Sequence, residues 1–217
     1  MVSHTEENYL KTLYYLSGKS EEINISELSH HLGVSTPTAN SMVKKLDQKG
    51  YVEYEKYRPL SLTEKGKTAA AFIIRKHRLT EMFLVEIMGF GWEQVHEIAE
   101  QVEHIKSPLF FDRMDEILGY PTNDPHGSPI PDKQGNIEWK SYKTLSECEK
   151  GQKVKLAALT NSSSEFLTFL NSRGLSLDLV LLVESIEPFD GSMVVSYDSQ
   201  KETLSALVCE KLLVESI

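Results

Sequence analysis

The apolar positions of this chain follow two rhythms. From Asn8 to Leu16, residues Tyr9, Leu10, Leu13, Tyr14 and Leu16 make one helical face, and Ser17-Gly-Lys-Ser20 breaks it. A second helix is expected over Ile25 to Leu32, with Ser26 as its cap. Gly33-Val34-Ser35 turns the chain into a third helix, Thr36 to Lys49, capped by Ser35, carrying Pro37 in its first turn and stopped by Gly50. Two short helices joined by a Gly-containing turn form a helix-turn-helix. Tyr51 to Thr63 holds two β-prone runs around Lys56-Tyr57-Arg58-Pro59, which predicts a hairpin and hence a winged helix. Thr63 to Lys67 opens another helix, and a long one follows over Thr68 to Met88, ended by Gly89-Phe-Gly91. Val95 to His104 reads as a helix through Ile98, Val102 and Ile105; Ser107-Pro108 breaks it, and Leu109 to Leu118 is again amphipathic. These apolar faces exceed what one small winged domain needs, so a dimer interface is expected.

The second rhythm begins after a Pro/Gly-rich linker, Tyr120 to Pro131. Val154 to Leu159, Leu179 to Ile186, Ser192 to Tyr197 and Leu204 to Leu213 read as strands, and Phe166 to Ser172 as a short helix, which suggests a small β-barrel. The hexapeptide Leu-Leu-Val-Glu-Ser-Ile occurs at 181–186 and at 212–217 with no wider self-similarity, so it reads as two like strands. The fold class expected is α+β, in three parts: a winged helix over 1–70, a helical metal-binding and dimerisation domain with its linker over 71–140, and the barrel over 141–217.

Composition narrows the location. No run approaches the ~18–20 apolar residues of a membrane helix. The opening Met-Val-Ser-His-Thr-Glu-Glu lacks a signal peptide's basic and apolar regions. Cys148 and Cys209 stand far apart and in no CxxC pair. A cytoplasmic protein with no membrane partner is expected. The net charge of −9 argues against nucleic acid, but it is uneven. Residues 36–78 hold ten basic residues (Lys44, Lys45, Lys49, Lys56, Arg58, Lys65, Lys67, Arg75, Lys76, Arg78) against Asp47, Glu53, Glu55 and Glu64, a local +6. That basic island coincides with the winged motif. Ser35, Thr36, Pro37, Thr38, Asn40 and Ser41 are the candidate groove-entry residues, because the N-terminal part of the second helix enters the major groove and Asn can bond an adenine edge. Lys44, Lys56 and Arg58 suit phosphates, and Tyr57 could donate to one.

One stretch carries metal-like chemistry. On a helix, His96, Glu100, Glu103 and His104 fall within about 100° of arc, and His77 and Glu81 repeat the pattern at i, i+4. Mn²⁺, Fe²⁺ and Zn²⁺ take such N and O donors. A solvated face of charged i, i+4 pairs has the same spacing, so on the residues alone both readings stand. His126 in the linker is expected to be solvated.

With these parts in order, the chain resembles the diphtheria toxin repressor/manganese transport regulator family. The resemblance rests on Thr5-Glu-Glu-Asn-Tyr-Leu10, Val34-Ser-Thr-Pro-Thr38, Leu62-Thr-Glu-Lys-Gly66, Arg75-Lys-His-Arg-Leu79, Val95-His96, Glu103-His104 and Gly127-Ser-Pro-Ile-Pro131, and it spans essentially the whole chain. It implies a metal-activated DNA-binding repressor of metal-uptake genes, a homodimer on a palindromic double-stranded operator, and a C-terminal SH3-like (FeoA-like) barrel. It places a primary metal site on Asn8, Glu100, Glu103 and His104, and an ancillary site on His77, Glu81 and His96, with Glu165 the nearest barrel residue to complete it. Two positions depart from the family pattern. Asn8 stands where Met or Asp is usual, and Lys11 stands where manganese-type members carry a further Glu, which speaks against their binuclear pairing. Glu100 replaces the Cys of iron-type members, and a hard carboxylate favours Mn²⁺ over Fe²⁺, with Zn²⁺ able to bind in vitro.

Rival readings are a metal enzyme, a winged-helix regulator that senses a small organic ligand, and a factor whose metal is structural only. The Glu100-Gln-Val-Glu-His104 run has Glu at the first ligand position of the H-x-x-E-H pattern, and the paired Glu-x-x-His of di-iron bundles is missing, so an enzyme is not expected.

Overall fold

Helix α1 (His4–Ser17) starts at a reciprocal cap: the Ser3 hydroxyl accepts the Glu6 N–H, and the Glu6 carboxylate accepts the Ser3 N–H. The computed structural model describes residues 2–18, 22–55 and 58–217. Helix α2 (Ile25–His31) is capped by Asn24, whose side-chain oxygen accepts the Glu27 N–H at 2.8 Å. The expected cap, Ser26, lies inside the helix instead, because the extended residue able to receive an orphan N–H is Asn24. Helix α3 (Thr36–Gln48) starts at Ser35 as expected, with the Ser35 hydroxyl accepting the Thr38 N–H. The hairpin is short, β1 (Val52–Glu53) pairing antiparallel with β2 (Ser61–Leu62). Lys56 and Tyr57, expected at its tip, lie outside the described residues. Helix α4 (Glu64–Glu86) runs as one piece. Gly66 lets it pass the hairpin, since a Cβ there would sit 2.0 Å from the Tyr51 carbonyl.

Helix α5 (His96–Val102) is shorter than expected. Glu103 and His104 fall in the turn after it, where the Ile105 N–H bonds the Val102 carbonyl and the Lys76 ammonium takes the Glu103 carbonyl. Helix α6 (Pro108–Ile117) follows, capped by Ser107. The C-terminal part holds β3 (Lys143–Thr144), a short 3₁₀ turn, β4 (Lys153–Leu159), α7 (Ser164–Asn171), β5 (Val180–Ile186), β6 (Met193–Tyr197), β7 (Gln200–Leu204), α8 (Ala206–Cys209) and β8 (Leu212–Ser216). Its six strands form one antiparallel sheet in the order β3-β8-β4-β5-β6-β7. The single strand expected over Leu204 to Leu213 does not form. Ser205 caps the one-turn helix α8 in its middle by accepting the Val208 N–H, and the strand character resumes only at Leu212. The two copies of Leu-Leu-Val-Glu-Ser-Ile are indeed like strands: they lie in β5 and β8, on opposite edges of β4, with matching burial residue for residue.

The chain forms two compact units, whose boundary passes through α4 and α5. The first comprises Met1–Thr80, Ala99–Tyr120 and Ile130–Glu138; the second comprises Glu81–Ile98, Pro121–Pro129 and Trp139–Ile217. The first has a core built on Leu10, Leu13, Leu28, Val43, Leu46 and Leu60; the second, on Leu156, Leu167, Leu170, Leu181, Val195 and Leu212. Each fully buried aliphatic side chain contributes about 1.5–3 kcal/mol. The architecture is α+β, with helices first and the sheet last.

Candidate metal centre

In the first unit, α1 presents Glu7 and Lys11 to the end of α5 and the turn that follows it. The Lys11 ammonium lies 2.5 Å from Glu100 Oε1 and 2.8 and 2.9 Å from the two oxygens of Glu103. Glu103 is fully buried. Burial alone would raise its carboxyl pKa, but the hydrogen bond from His77 and the charge of Lys11 outweigh burial and hold it low. Burial likewise presses the Lys11 pKa down, and Glu103 and Glu100 overcome that and hold the ammonium charged. An ionised carboxylate only accepts, so His77 Nδ1 donates to Glu103 Oε2 at 2.6 Å, and His104 Nδ1 donates to Glu7 Oε2 at 2.6 Å. In the neutral ring this leaves the lone pair on His104 Nε2, 3.9 Å from Glu103 Oε1. The His104 ring stacks on His4 at 4.5 Å.

Donor atoms of His77, Glu100 and Glu103 all lie within 4.8 Å of one another. The Asn8 side-chain oxygen is buried with no hydrogen-bond partner. An orphaned buried carbonyl, on the helix that also carries Glu7 and Lys11, fits a hard or borderline divalent cation. Of the primary set read from the sequence, Glu100, Glu103 and His104 converge, and Asn8 stands on α1 between Glu7 and Lys11. His77, assigned to the ancillary set, turns its ring to Glu103. Glu7 escaped the sequence reading, although its place on α1 beside Asn8 was a usable signal.

The second unit holds another donor group. Glu81, Asp124 and His126 are all buried, with donor atoms within 4.8 Å of one another. The expectation of a solvated His126 is therefore corrected: its loop is folded. Asp124 Oδ1 accepts the N–H groups of His126 and Ser128, both at 2.9 Å. Gly127 has φ +86°, and a Cβ there would meet the Ala157 carbonyl of β4 at 2.4 Å, so only glycine lets the loop lie on the strand. His126 Nε2 donates to the Trp92 carbonyl at 3.0 Å. In the neutral ring this leaves the lone pair on Nδ1, which lies 3.9 Å from Glu81 Oε2. His96 Nδ1 lies 3.3 Å from Glu81 Oε1. Glu81 and His96 thus meet as expected, and His77 and Glu81 share α4 four residues apart. Glu165, the expected barrel contribution, is exposed in the first turn of α7 and belongs to none of the donor groups among the described residues. Asp124 and His126 are the residues grouped with Glu81 instead; the Asp-Pro-His-Gly-Ser run, a turn with two donors, was the available signal.

The candidate DNA face is on α3. Ser35, Thr36, Pro37, Thr38, Ser41 and Lys44 are exposed and Asn40 is half-buried. Ser41 returns its hydroxyl to the Pro37 carbonyl, and the Asn40 side-chain oxygen is buried without a hydrogen-bond partner. Arg58 is exposed and paired with Glu55 at 2.8 Å. Behind this face, the buried Glu6 of α1 takes Lys49 at 2.7 Å and Lys45 at 3.1 Å. Burial would raise the Glu6 carboxyl pKa, but hydrogen bonds from Lys49, the Ser3 N–H and Lys45 outweigh it and bring it down to about 2.

Three family models match the chain. Residues 1–60 match the iron dependent repressor, N-terminal DNA binding domain; 63–132 match the iron dependent repressor, metal binding and dimerisation domain; and 143–216 match the FeoA domain. The iron-dependent repressor IdeR of Mycobacterium tuberculosis is 37% identical over 127 residues, covering 58% of this chain and 55% of that one; the match spans little more than half of the curated relative's length. A solved manganese-dependent transcriptional repressor in complex with manganese is 31% identical, with a TM-score of 0.87, covering 98% of this chain and 100% of that one. ScaR with bound Zn²⁺ is 32% identical, with a TM-score of 0.79, covering 98% and 99%. Among the described residues, no helix is long and apolar enough to cross a membrane.

Proposed function

Since the chain belongs to the diphtheria toxin repressor family of iron- and manganese-dependent repressors, we propose that it is a metal-activated transcriptional repressor, acting in the cytoplasm as a homodimer on a palindromic DNA operator. The observation that carries this reading is the double engagement of α1. On one side Glu6 holds Lys45 and Lys49 of the α3 region. On the other, Glu7 and Lys11 enter the Glu100, Glu103 and His104 cluster. A change in how that cluster is held is passed along one rigid helix to the recognition helix.

Asn8, Glu100, Glu103 and His104 would hold the primary cation, and Glu81, Asp124 and His126, with His96 at Glu81, a second. A bound divalent cation supplies the positive charge that draws these carboxylates together. The protein's own residues do the rest. His104 is oriented by Glu7, His126 by the Trp92 carbonyl, and the Asp124 turn fixes the second group on β4. Glu100 supplies a hard oxygen where a thiolate would draw softer metals, which supports Mn²⁺ as the effector, with Fe²⁺ the alternative. The half-exposed Phe72 and Phe110 and the more exposed Leu109 and Ile117 of the first unit supply an apolar face for the second subunit.

The test is selection from a random duplex pool, with chelated protein and again with Mn²⁺, followed by anisotropy on the winning sequence. A palindrome recovered only with Mn²⁺, and an affinity that falls at least about tenfold in Glu103→Gln, is the expected result. Equal recovery in both conditions would leave a DNA-binding protein that metal does not regulate.

A further inference from the structure

Lys11 is the one basic residue whose ammonium enters the carboxylate cluster from α1, and its surroundings are those of a bound cation. Its three N–H groups face three carboxylate oxygens, Glu100 Oε1 and both oxygens of Glu103, at 2.5–2.9 Å. Lys11 is 8% exposed and Glu103 is fully buried. A buried carboxylate demands a counter-charge, and here the chain carries that charge on its own side chain. The two oxygens of Glu103 and the near oxygen of Glu100 are also donor atoms a metal at this cluster would use. Ammonium and metal therefore compete for one set of oxygens.

We propose that Lys11 is a tethered counter-cation of the Glu100–Glu103 pair, which a divalent metal must displace, and which thereby raises the metal concentration at which this site fills. The inference rests on the reading of the cluster as a metal site. An internal occupant acts on affinity as any occupancy equilibrium does: the apparent dissociation constant rises by the inverse of the fraction of time the site is open. An ammonium in place about 99% of the time raises it about 100-fold, with the intrinsic donors unchanged. The tether costs no translational freedom on closing, so a single positive charge can hold off a double one that must come from solution. The same contact joins α1 to the end of α5 and the turn after it, so displacing the ammonium exchanges one α1 attachment for another. The site would thus respond to metal in excess and ignore traces.

The experiment titrates Mn²⁺ into the full chain, with free Mn²⁺ followed by its paramagnetic resonance signal, for the parent, Lys11→Met, Lys11→Arg and Glu103→Gln. Each is scanned by near-ultraviolet circular dichroism to confirm a native fold. Lys11→Met keeps the stem and removes the charge; its apparent dissociation constant at this cluster should fall at least about tenfold. Lys11→Arg keeps the charge and should stay within about threefold of the parent. If Lys11→Met folds and binds Mn²⁺ no more tightly than the parent, the proposal is overturned. Should Lys11→Met fold only when Mn²⁺ is present, the counter-charge role is supported, because a metal then replaces what the lysine supplied. Glu103→Gln separates the two levels: if it retains the parent's Mn²⁺ stoichiometry and affinity, the metal-site reading itself fails, whatever Lys11 does.

Discussion

A single unpaired oxygen makes the sharpest residue-scale statement in the first unit. The Asn8 carbonyl is buried without a partner, a condition that costs about 1–3 kcal/mol in a folded protein. Asn8→Ala removes the acceptor and its penalty together. The metal-free chain should therefore melt at nearly the parent temperature, or slightly above it. The rise in melting temperature produced by Mn²⁺ should shrink, since one donor is lost. An unchanged Mn²⁺-induced rise would take Asn8 out of the ligand set. Much of the cluster was legible from the chain: Glu100, Glu103 and His104 were marked by helical spacing and by resemblance. Glu7 and the role of the Lys11 ammonium were not. Spacing says which side chains share a helix face, and is silent on which carboxylate of another segment each will meet.

At the scale of elements, α1 links recognition helix and cluster, and Glu6 is its hinge to α3. Glu6→Gln replaces a buried carboxylate by a neutral amide, weakening its bonds to Lys45 and Lys49. Stability should drop by about 1.5–3 kcal/mol, the worth of hydrogen bonds to a charged group, read as a lower denaturant midpoint. Two ammonium groups behind the candidate DNA face would also be freed to reach phosphates. Non-specific duplex binding should then show a steeper salt dependence, by up to about two units of slope. A slope identical to the parent's would mean that Lys45 and Lys49 stay off the DNA. Elements were legible where a cap and a period agreed, as in α3 with Ser35 and Pro37. They were misread where a local hydrogen bond overrode the period. Ser205 turns the Leu204 to Leu213 run into strand, helical turn and strand, and Asn24 captures the cap assigned to Ser26. The linker around Asp124 looked loose by composition, yet its Asx turn and Gly127 fold it onto β4, a contact no short-range pattern announces.

For the molecule as a whole, the two units carry separate cores, and both cysteines lie in the second. Cys148 and Cys209 are buried, and burial pushes the Cys209 thiol up to about 11. At pH 8 about one thiol in a thousand is ionised at such a value, and the thiolate is the nucleophile. An aromatic disulfide reagent should therefore leave both thiols unmodified in the native chain and titrate two per chain after unfolding in denaturant. The rate at intermediate denaturant should follow opening of the second unit. Rapid modification of Cys209 in native conditions would show that the sheet core opens readily.

The twin strands on either side of β4 bear on how this sheet is reached. Because β5 and β8 share the run Leu-Leu-Val-Glu-Ser, side-chain identity does not tell β4 which neighbour belongs on which edge. Either copy offers the same alternation of buried and exposed positions. The choice falls to chain connectivity. The segment from β4 to β5 closes a shorter loop than the one to β8, and shorter loops close at lower entropic cost. Pairing β4 with β5 first leaves the other edge as the one place β8 can dock. A nascent sheet in which β8 took the β5 edge would satisfy the same hydrophobic pattern with a misthreaded backbone, so the order of assembly, rather than the composition of the strands, guards this sheet against its own duplicate.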